Sequence, residues 1–493
     1  MQHRVIAIDQ STSATKAFVF DAGGTILASA SVPHKQYYPK EGWVEHDAEE
    51  IYRNTVKAIS MVADPSAPGV EWSIAITNQR ETVVAWDKNS GKPVCNAVVW
   101  QCMRGRDICA DLKAQGLEPA VQERSGLLLD PYFSASGAKW ILDNVPGARE
   151  KAENGELLLG TIDSWLIWKL SGGKAHVVDY TNAARTLLFN IHTLEFDDEL
   201  LRIFTIPRSM VPAPLPSDSI FATTTVEGLF ANPVDIAGDM GDSNGALAGQ
   251  MCFAEGLGKA TYGTGSSVMV NIGETPHKAP EGLVTSVGIS ALGKVFYGFE
   301  GNIHSTGATL AWLKDELKLI SSPQEADELS QTIPDNGGVY MVPAFVGLGA
   351  PWWQPDARAV ISGLSFGTGK AYVCRAAAES IAYQVADLVN AMTEKAGITL
   401  KDLRVDGGPT RNKFTMQFQA DLLGVQVVRS EVSDASAFGA FLMNCFARGV
   451  WKDFAEAGTV WKGDAPILPR KENAAAVAEA YAGWRRAVAR LVE

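Results

Sequence analysis

Residues 5–21 read VIAIDQSTSATKAFVFD, and the architecture can be worked out from this stretch. Val5 to Asp9 is a short apolar run ending in an acid, Gln10 to Lys16 is a small polar turn, and Ala17 to Asp21 is a second apolar run before Ala22-Gly23-Gly24 turns the chain again. That order predicts a β-hairpin followed by another turn. Residues 259–274, KATYGTGSSVMVNIGE, repeat the grammar: Lys259 to Tyr262, the turn Gly263-Thr264-Gly265-Ser266-Ser267, then Val268 to Ile272. One such hairpin is an ordinary meander. Two of them, each opening one half of the chain, predict a duplicated architecture with domains 1–247 and 248–493.

Helical periodicity runs from Ala371 to Ala396 and returns at the C-terminus, where Val477, Tyr481, Trp484, Val488 and Leu491 recur at spacings of four and three, the pattern of a core-facing stripe. Asp47 followed by Glu50 reads as a capping box opening a helix at Ala48. Pro207 to Pro216 (PRSMVPAPLP) reads as a loop inside the first half. Strands alternating with such helices predict an α/β protein.

At 493 residues the chain is too long for one core. Its 46% apolar and 20% charged residues leave no room for wholesale disorder. The 43 basic and 56 acidic side chains give a net charge of -13, which repels a phosphate backbone and argues against nucleic acid as a partner. No run approaches the roughly 20 apolar residues of a membrane span, and the N-terminus shows no signal-peptide core, so a soluble, cytoplasmic protein is expected. Six cysteines without a C-x-x-C pair make no disulfide framework, and seven scattered histidines make no recognisable zinc site.

The usual phosphate-binding devices are missing. The nearest approach to a P-loop, at Gly369-Lys370, has Leu364 in place of the first glycine and Ala371 in place of the hydroxyl, and no G-x-G-x-x-G follows a strand. Gly241-Asp242-Ser243-Asn244-Gly245 matches the G-x-S-x-G of serine hydrolases, but Ala237-Gly238-Asp239-Met240 before it reads as a poor strand. The same segment reads better as an acid on a glycine-rich turn before a helix, with Asp242 able to act as a base toward a hydroxyl. A lone Asp there would be a helix cap. Its company is three small-residue turns: Asp9, Thr12 and Ser13 in the first hairpin, Gly263-Thr264-Gly265 in the second, and Asp406-Gly407-Gly408 after Leu403-Arg404-Val405.

Along its whole length the chain resembles the FGGY carbohydrate kinases, and within them the glycerol-kinase branch. The resemblance rests on IAIDQSTSATKAFVFD, GWVEHD, ITNQRET, NAVVWQC, GLLLDPYFSASGAKWIL, GTIDSWLIWKL, DYTNAARTLLFNIHTL, YGTG, VYMVPAFVGLGAPWW, ESIAYQ, RVDGG and MQFQADLLG. It implies two ribonuclease-H-like domains of the actin and hexokinase type, with a catalytic cleft between them and ATP and Mg2+ as cofactors. It places Thr12, Ser13, Lys16, Gly263 and Thr264 at the phosphates, and Gly307, Gly408 and Asn412 at the adenosine. Asp9 and Asp242 fall to the metal, and Arg80, Glu81, Trp100, Tyr132 and Asp242 to a polyol, with Asp242 as general base. A homo-oligomer, dimer or tetramer, is expected of such an enzyme. A non-catalytic actin-like nucleotide switch and a serine hydrolase are the rivals.

The sequence departs from that branch in two pocket positions. Ser243 stands where Gln usually follows the catalytic Asp, and Ser267 where Phe usually lies against the glycerol carbons. Two large side chains become small, so either glycerol is bound with water or Asn244 completing the site, or a longer polyol such as erythritol or threitol fills the space. Lys16 replaces an Arg common near the phosphates, which keeps the charge but loses bidentate geometry. Thr223 to Pro233 (TTTVEGLFANP) replaces the Gly-rich loop by which some relatives bind fructose 1,6-bisphosphate, so no such regulation is expected.

Overall fold

The computed structural model describes residues 2–432 and 434–492. It forms two compact units that interleave along the chain. The first contains Met1–Phe253, Thr285–Tyr297 and Asp434–Trp461, and the second Ala254–Val284, Gly298–Ser433 and Lys462–Glu493.

The first unit is built on six strands, β1 (Gln2–Gln10), β2 (Ala14–Asp21), β3 (Ile26–Pro33), β4 (Val70–Asn78), β5 (Ile220–Thr224) and β6 (Val234–Gly241), in the order β5-β6-β4-β1-β2-β3. β1 and β2 form the expected antiparallel hairpin, while β1, β4 and β6 run parallel. Gln10 lies beside Asn78, and Asn78 beside Gly241, so the three parallel strands end level. The carboxyl ends of parallel strands are where open α/β sheets place their ligands. Ile6, Ile8, Ile74 and Ile76 pack with Ile51 of the helix Ala48–Val62 and with Trp165. The helix Ala435–Ala447 brings Phe441 onto Phe20, ring centroids 4.8 Å apart.

The second unit repeats the plan with β7 (Leu257–Tyr262), β8 (Ser266–Asn271), the part from Gly298 onward of β9 (Lys294–Ile303), β10 (Asp402–Asp406) and β11 (Gln426–Arg429), ordered β9-β8-β7-β10-β11. β7 and β8 are an antiparallel hairpin, β8 pairs antiparallel with β9 through Gly298–Ile303, and β10 lies parallel to β7. Steps β3-β2-β1-β4 and β9-β8-β7-β10 therefore match in order and direction. The chain has the actin- and hexokinase-like α/β fold, duplicated as the two hairpins foretold. Helix Lys370–Ala396 runs as expected, and Val477, Trp484 and Val488 of helix Ala474–Val492 are buried in one cluster with Tyr383 and Phe418.

Three local readings change. Both hairpin turns are shorter than the polar runs suggest: only Ser11 to Ser13 and Gly263 to Gly265 leave the ladder, and Lys16 pairs across from Asp9. Asp47 caps its helix by accepting from the Glu49 amide at 2.9 Å, but Glu50 does not close the box; its carboxylate accepts from the Lys35 amide at 3.3 Å. Ala237 to Met240 belongs to a true strand. Its irregular composition marks a bulge, where the register shifts between Ile236 and Asp239 and Gly238 takes φ 78°. A Cβ at Gly238 would sit 2.4 Å from the Asn444 amide nitrogen, so only glycine fits. Among the described residues all six cysteines are free, and no helix is long and apolar enough to cross a membrane.

Candidate active site

Each level strand end in the first unit carries site residues. β1 ends on Asp9 and Gln10, β4 leads into Gln79, Arg80 and Glu81, and β6 delivers Asp242 as the first residue of the helix Asp242–Gly249. Asp242 is partly open, its side chain 39% exposed. The Ser243 amide donates to Asp242 Oδ1 at 2.6 Å, and Arg80 Nε lies 3.4 Å from the same oxygen. Ser436 fixes the Asp242 backbone by donating to its carbonyl at 2.8 Å. Arg80 is itself buried and donates to Asn244 Oδ1 at 3.1 Å, while Asn244 donates to the carbonyls of Val287 and Gly288.

Glu81 is buried and adopts φ 63°, a left-handed conformation costly for a residue with a side chain. It is held there in part by Ser134 Oγ, which donates to its carbonyl at 2.8 Å, and by Arg185 Nε, which donates to its carboxylate at 2.5 Å. Arg185 carries no cue of its own in the sequence, though it lies inside the distinctive stretch DYTNAARTLLFNIHTL. Its guanidinium sits 5.7 Å from the Tyr132 ring and 5.0 Å from that of Phe133. Trp100 meets Tyr132 edge to face at 5.5 Å, and its indole donates to Thr12 Oγ1 at 3.1 Å. Arg80, Glu81, Trp100, Tyr132 and Asp242 are thus tied together and joined to the first hairpin tip.

That tip is pinned from below. His34 Nε2 hydrogen-bonds the Thr12 carbonyl at 2.8 Å, and the His34 amide donates to the Ser13 carbonyl at 3.2 Å. Lys16 donates to Asp9 at 2.8 Å and to Asp434 at 2.9 Å. Burial first, then the charge of Asp434, pushes the Asp9 carboxyl up to about 7 despite Lys16. The two carboxylates hold the Lys16 ammonium above its usual range against the cost of burying it.

Ser243 lies inside a regular helix without the positive φ of a nucleophile elbow, and among the described residues no histidine hydrogen-bonds it. The hydrolase reading has no geometry to stand on.

In the second unit a cavity of about 550 Å3 is lined by Gly263, Thr264, Gly307, Gly408 and Asn412, all five of the residues expected at the nucleotide in that half. A Cβ on Gly307 would meet the Gly263 carbonyl at 2.5 Å, and one on Gly407, at φ 97°, would meet the Tyr262 carbonyl at 1.9 Å. Asn412 Oδ1 caps the helix Lys413–Leu423 by accepting from the Thr415 amide at 2.7 Å, while its Nδ2 is buried without a partner. Ser267, on β8, accepts from Lys259 Nζ at 3.3 Å.

The description "FGGY family of carbohydrate kinases, N-terminal domain" matches residues 4–249, and its C-terminal counterpart matches residues 258–448. The chain belongs to the FGGY family of carbohydrate kinases. Among its FGGY relatives, glycerol kinase 1 of Thermotoga maritima is 49% identical and glycerol kinase 2 of the same organism 46%, each covering 99% of this chain and 99% and 98% of its own. Among solved structures, Plasmodium falciparum glycerol kinase with ADP superposes with a TM-score of 0.95 at 34% identity, over 100% of this chain and 99% of its own.

Proposed function

We propose that this FGGY kinase transfers the γ-phosphoryl group of ATP to a terminal hydroxyl of glycerol, giving ADP and sn-glycerol 3-phosphate. The observation that carries the reading is the half-open Asp242 carboxylate, with Arg80 against it and the buried, Arg185-held Glu81 beside it. Full-length likeness to glycerol kinases supports the choice of polyol.

In this reading Arg80 donates to, and Glu81 accepts from, vicinal hydroxyls, and the edge-to-face pair of Trp100 and Tyr132 packs on the carbon face. The Ser243 amide occupies Asp242 Oδ1, so Oδ2 takes the proton of the attacking hydroxyl. Thr12 Oγ1 already accepts from Trp100, which turns its own proton outward to a phosphate oxygen. Ser13 and the Gly263-Thr264 turn supply further donors to the β- and γ-phosphates. Gly307, Gly408 and the free Nδ2 of Asn412 receive the adenosine. Phosphoryl transfer asks chiefly for alignment and charge neutralisation, and these residues supply both.

Around Asp9 the charge inventory fits a divalent cation. Asp9 and Asp434 share one ammonium, Lys16, while Asp242, whose charge also bears on Asp9, has Arg80 beside it; three carboxylates thus face two cations, and all their ligand atoms are hard oxygens. Asp9 and Asp242 would hold Mg2+, whose contribution is to neutralise phosphate charge. A homo-oligomeric cytoplasmic enzyme remains part of the proposal.

The half-exposed Ser243, whose hydroxyl has no partner among the described residues, favours one second reading, a four-carbon polyol whose extra hydroxymethyl reaches it. An ADP-release assay with glycerol, erythritol, threitol and xylitol separates the two. Glycerol is expected to give the highest kcat/KM; a tenfold preference for a tetritol moves the assignment to the longer acceptor, and no turnover with any of the four ends the kinase reading.

A further inference from the structure

Away from the residues given to catalysis, three aspartates from separate elements of the first unit converge. Asp163 lies in the first turn of the helix Ile162–Leu170, Asp179 ends the strand Val177–Asp179, and Asp239 sits in β6. One carboxylate oxygen from each lies within 4.8 Å of the other two, and all three side chains are fully buried. Asp179 is well supplied with donors: the Thr181 and Asn182 amides at 2.9 and 2.8 Å, Thr181 Oγ1 at 2.8 Å, Asn182 Nδ2 at 2.9 Å and Ser217 Oγ at 2.7 Å. The other two carboxylates lie against each other and near the Thr161 hydroxyl and the Ser164 amide, without a well-formed hydrogen bond to any of them. Both oxygens of Asp163 and both of Asp239 are buried without a hydrogen-bond partner, and so is the hydroxyl of Thr161, which precedes the Asp163 helix. Among the described residues no lysine, arginine or histidine pairs with any of the three.

Buried carboxylates in native proteins are paired with a cation, hydrogen-bonded, neutralised by a proton or bound to a metal. Here no cation pairs with the three, and two of them, set against each other, lack a well-formed donor. We propose that Asp163, Asp179 and Asp239 form a structural binding site for a hard divalent cation of calcium's size. An all-oxygen donor set selects against soft transition metals. A spacing of up to 4.8 Å suits ligands on opposite sides of an ion with bonds of roughly 2.3–2.6 Å, whereas Mg2+ needs shorter bonds and sheds water reluctantly. Thr161 Oγ1 offers a further neutral oxygen. The ion would tie together three elements at the root of the active site: Asp239 stands three residues before Asp242, and Thr181, whose hydroxyl donates to Asp179, accepts from the Gly241 amide at 2.9 Å. The site is separate from Asp9 and Asp242 and independent of which polyol the enzyme takes.

The test uses the full-length protein without nucleotide. Metal content is measured as purified, the protein is stripped with EDTA, and CaCl2 is titrated back by calorimetry, with Tb3+ luminescence excited through tryptophan as a second signal, Trp165 lying on the Asp163 helix. One ion per chain is expected, with a melting temperature several degrees higher when it is bound. Asp239→Asn and Asp163→Asn lose both responses, and Asp242→Asn keeps them. If Asp163→Asn does not fold, Asp239→Asn decides alone. Failure of the wild type to bind Ca2+ or Tb3+, or retention of the ion by Asp239→Asn, overturns the proposal. So does a melting temperature that rises in Asp239→Asn with no response to metal in the wild type, because the acids would then be holding protons.

Discussion

Asp242, Arg185 and His46 each do a different kind of work, and each can be tested by one substitution. Asp242→Asn keeps the size and the helix start but removes the proton acceptor. Phosphorylation is expected to fall by roughly 10^2–10^4 while ATP binding, followed by calorimetry, is retained. Arg185→Met would take from the buried Glu81 carboxylate the closer of its two guanidinium neighbours, Arg80 staying 3.8 Å away, at a cost on the order of 1–3 kcal/mol in a denaturant melt. Arg185→Lys keeps the charge but not the planar fork, so it should raise KM for the polyol more than it lowers stability. His46 is buried beside His34, and burial pushes its pKa down to about 3. The folded protein therefore keeps the ring neutral while the unfolded chain takes up a proton below pH 6.5. That stability is present above pH 6.5 and is lost as pH falls toward 3, a few kcal/mol in all. Urea melts at pH 7 and pH 5 should show the loss, and His46→Leu should flatten it. The residues expected at the polyol stand out in the sequence because they sit in short, distinctive runs such as ITNQRET and NAVVWQC. Arg185, Asp434 and His34 do not, since each acts through a partner distant in sequence, and nothing in a linear string joins Lys16 to a carboxylate 418 residues away.

At the scale of elements, the segment in place of the Gly-rich effector loop is part of the core. Val226 and Phe230 are buried in the cluster beneath the first sheet, and Tyr52 donates to Glu227 at 2.9 Å. Adding fructose 1,6-bisphosphate should leave the initial rate unchanged; a drop in activity would contradict this reading of 223–233. Helices Asp242–Gly249 and Ala435–Ala447 cross at glycines, where a Cβ on Gly439 would lie 2.0 Å from the Gly245 carbonyl and one on Gly249 2.0 Å from that of Ala435. Gly439→Ala must therefore push the helices apart. It is expected to cost roughly 1–3 kcal/mol by overpacking and to lower kcat by displacing Asp242, read by a thermal melt and the coupled assay. The strand-turn-strand grammar of both hairpins could be read because apolar runs alternate with small polar residues. The exact turn could not, because Thr15, Lys16, Ser266 and Ser267 are polar residues that nevertheless sit on strands, held by pairing across the sheet.

On the scale of the molecule, the duplicated sheet follows from two hairpins and two parallel strands, β4 and β10, and the repeat of β3-β2-β1-β4 as β9-β8-β7-β10 was anticipated from the first of these. The return of residues 434–461 to the first unit has no local cue; ASAFGAFLMNCFA is only an apolar run until Phe441 is seen against Phe20. Its weight is testable. A fragment of residues 1–253 lacks the helix Ala435–Ala447 and would expose the sheet face that Phe438 and Phe441 cover. It is expected to bind a hydrophobic dye and to show no cooperative melt, whereas adding residues 434–461 in trans should restore one.

The interleaving also bears on how the protein is made. A ribosome completes the N-terminal sheet at Gly241 and reaches the helix that seals it only at Ala435, so that sheet must wait, partly uncovered, while most of the second unit is synthesised. Translation speed and chaperone supply during that interval should therefore set the yield of native enzyme more strongly than any single contact in the finished fold.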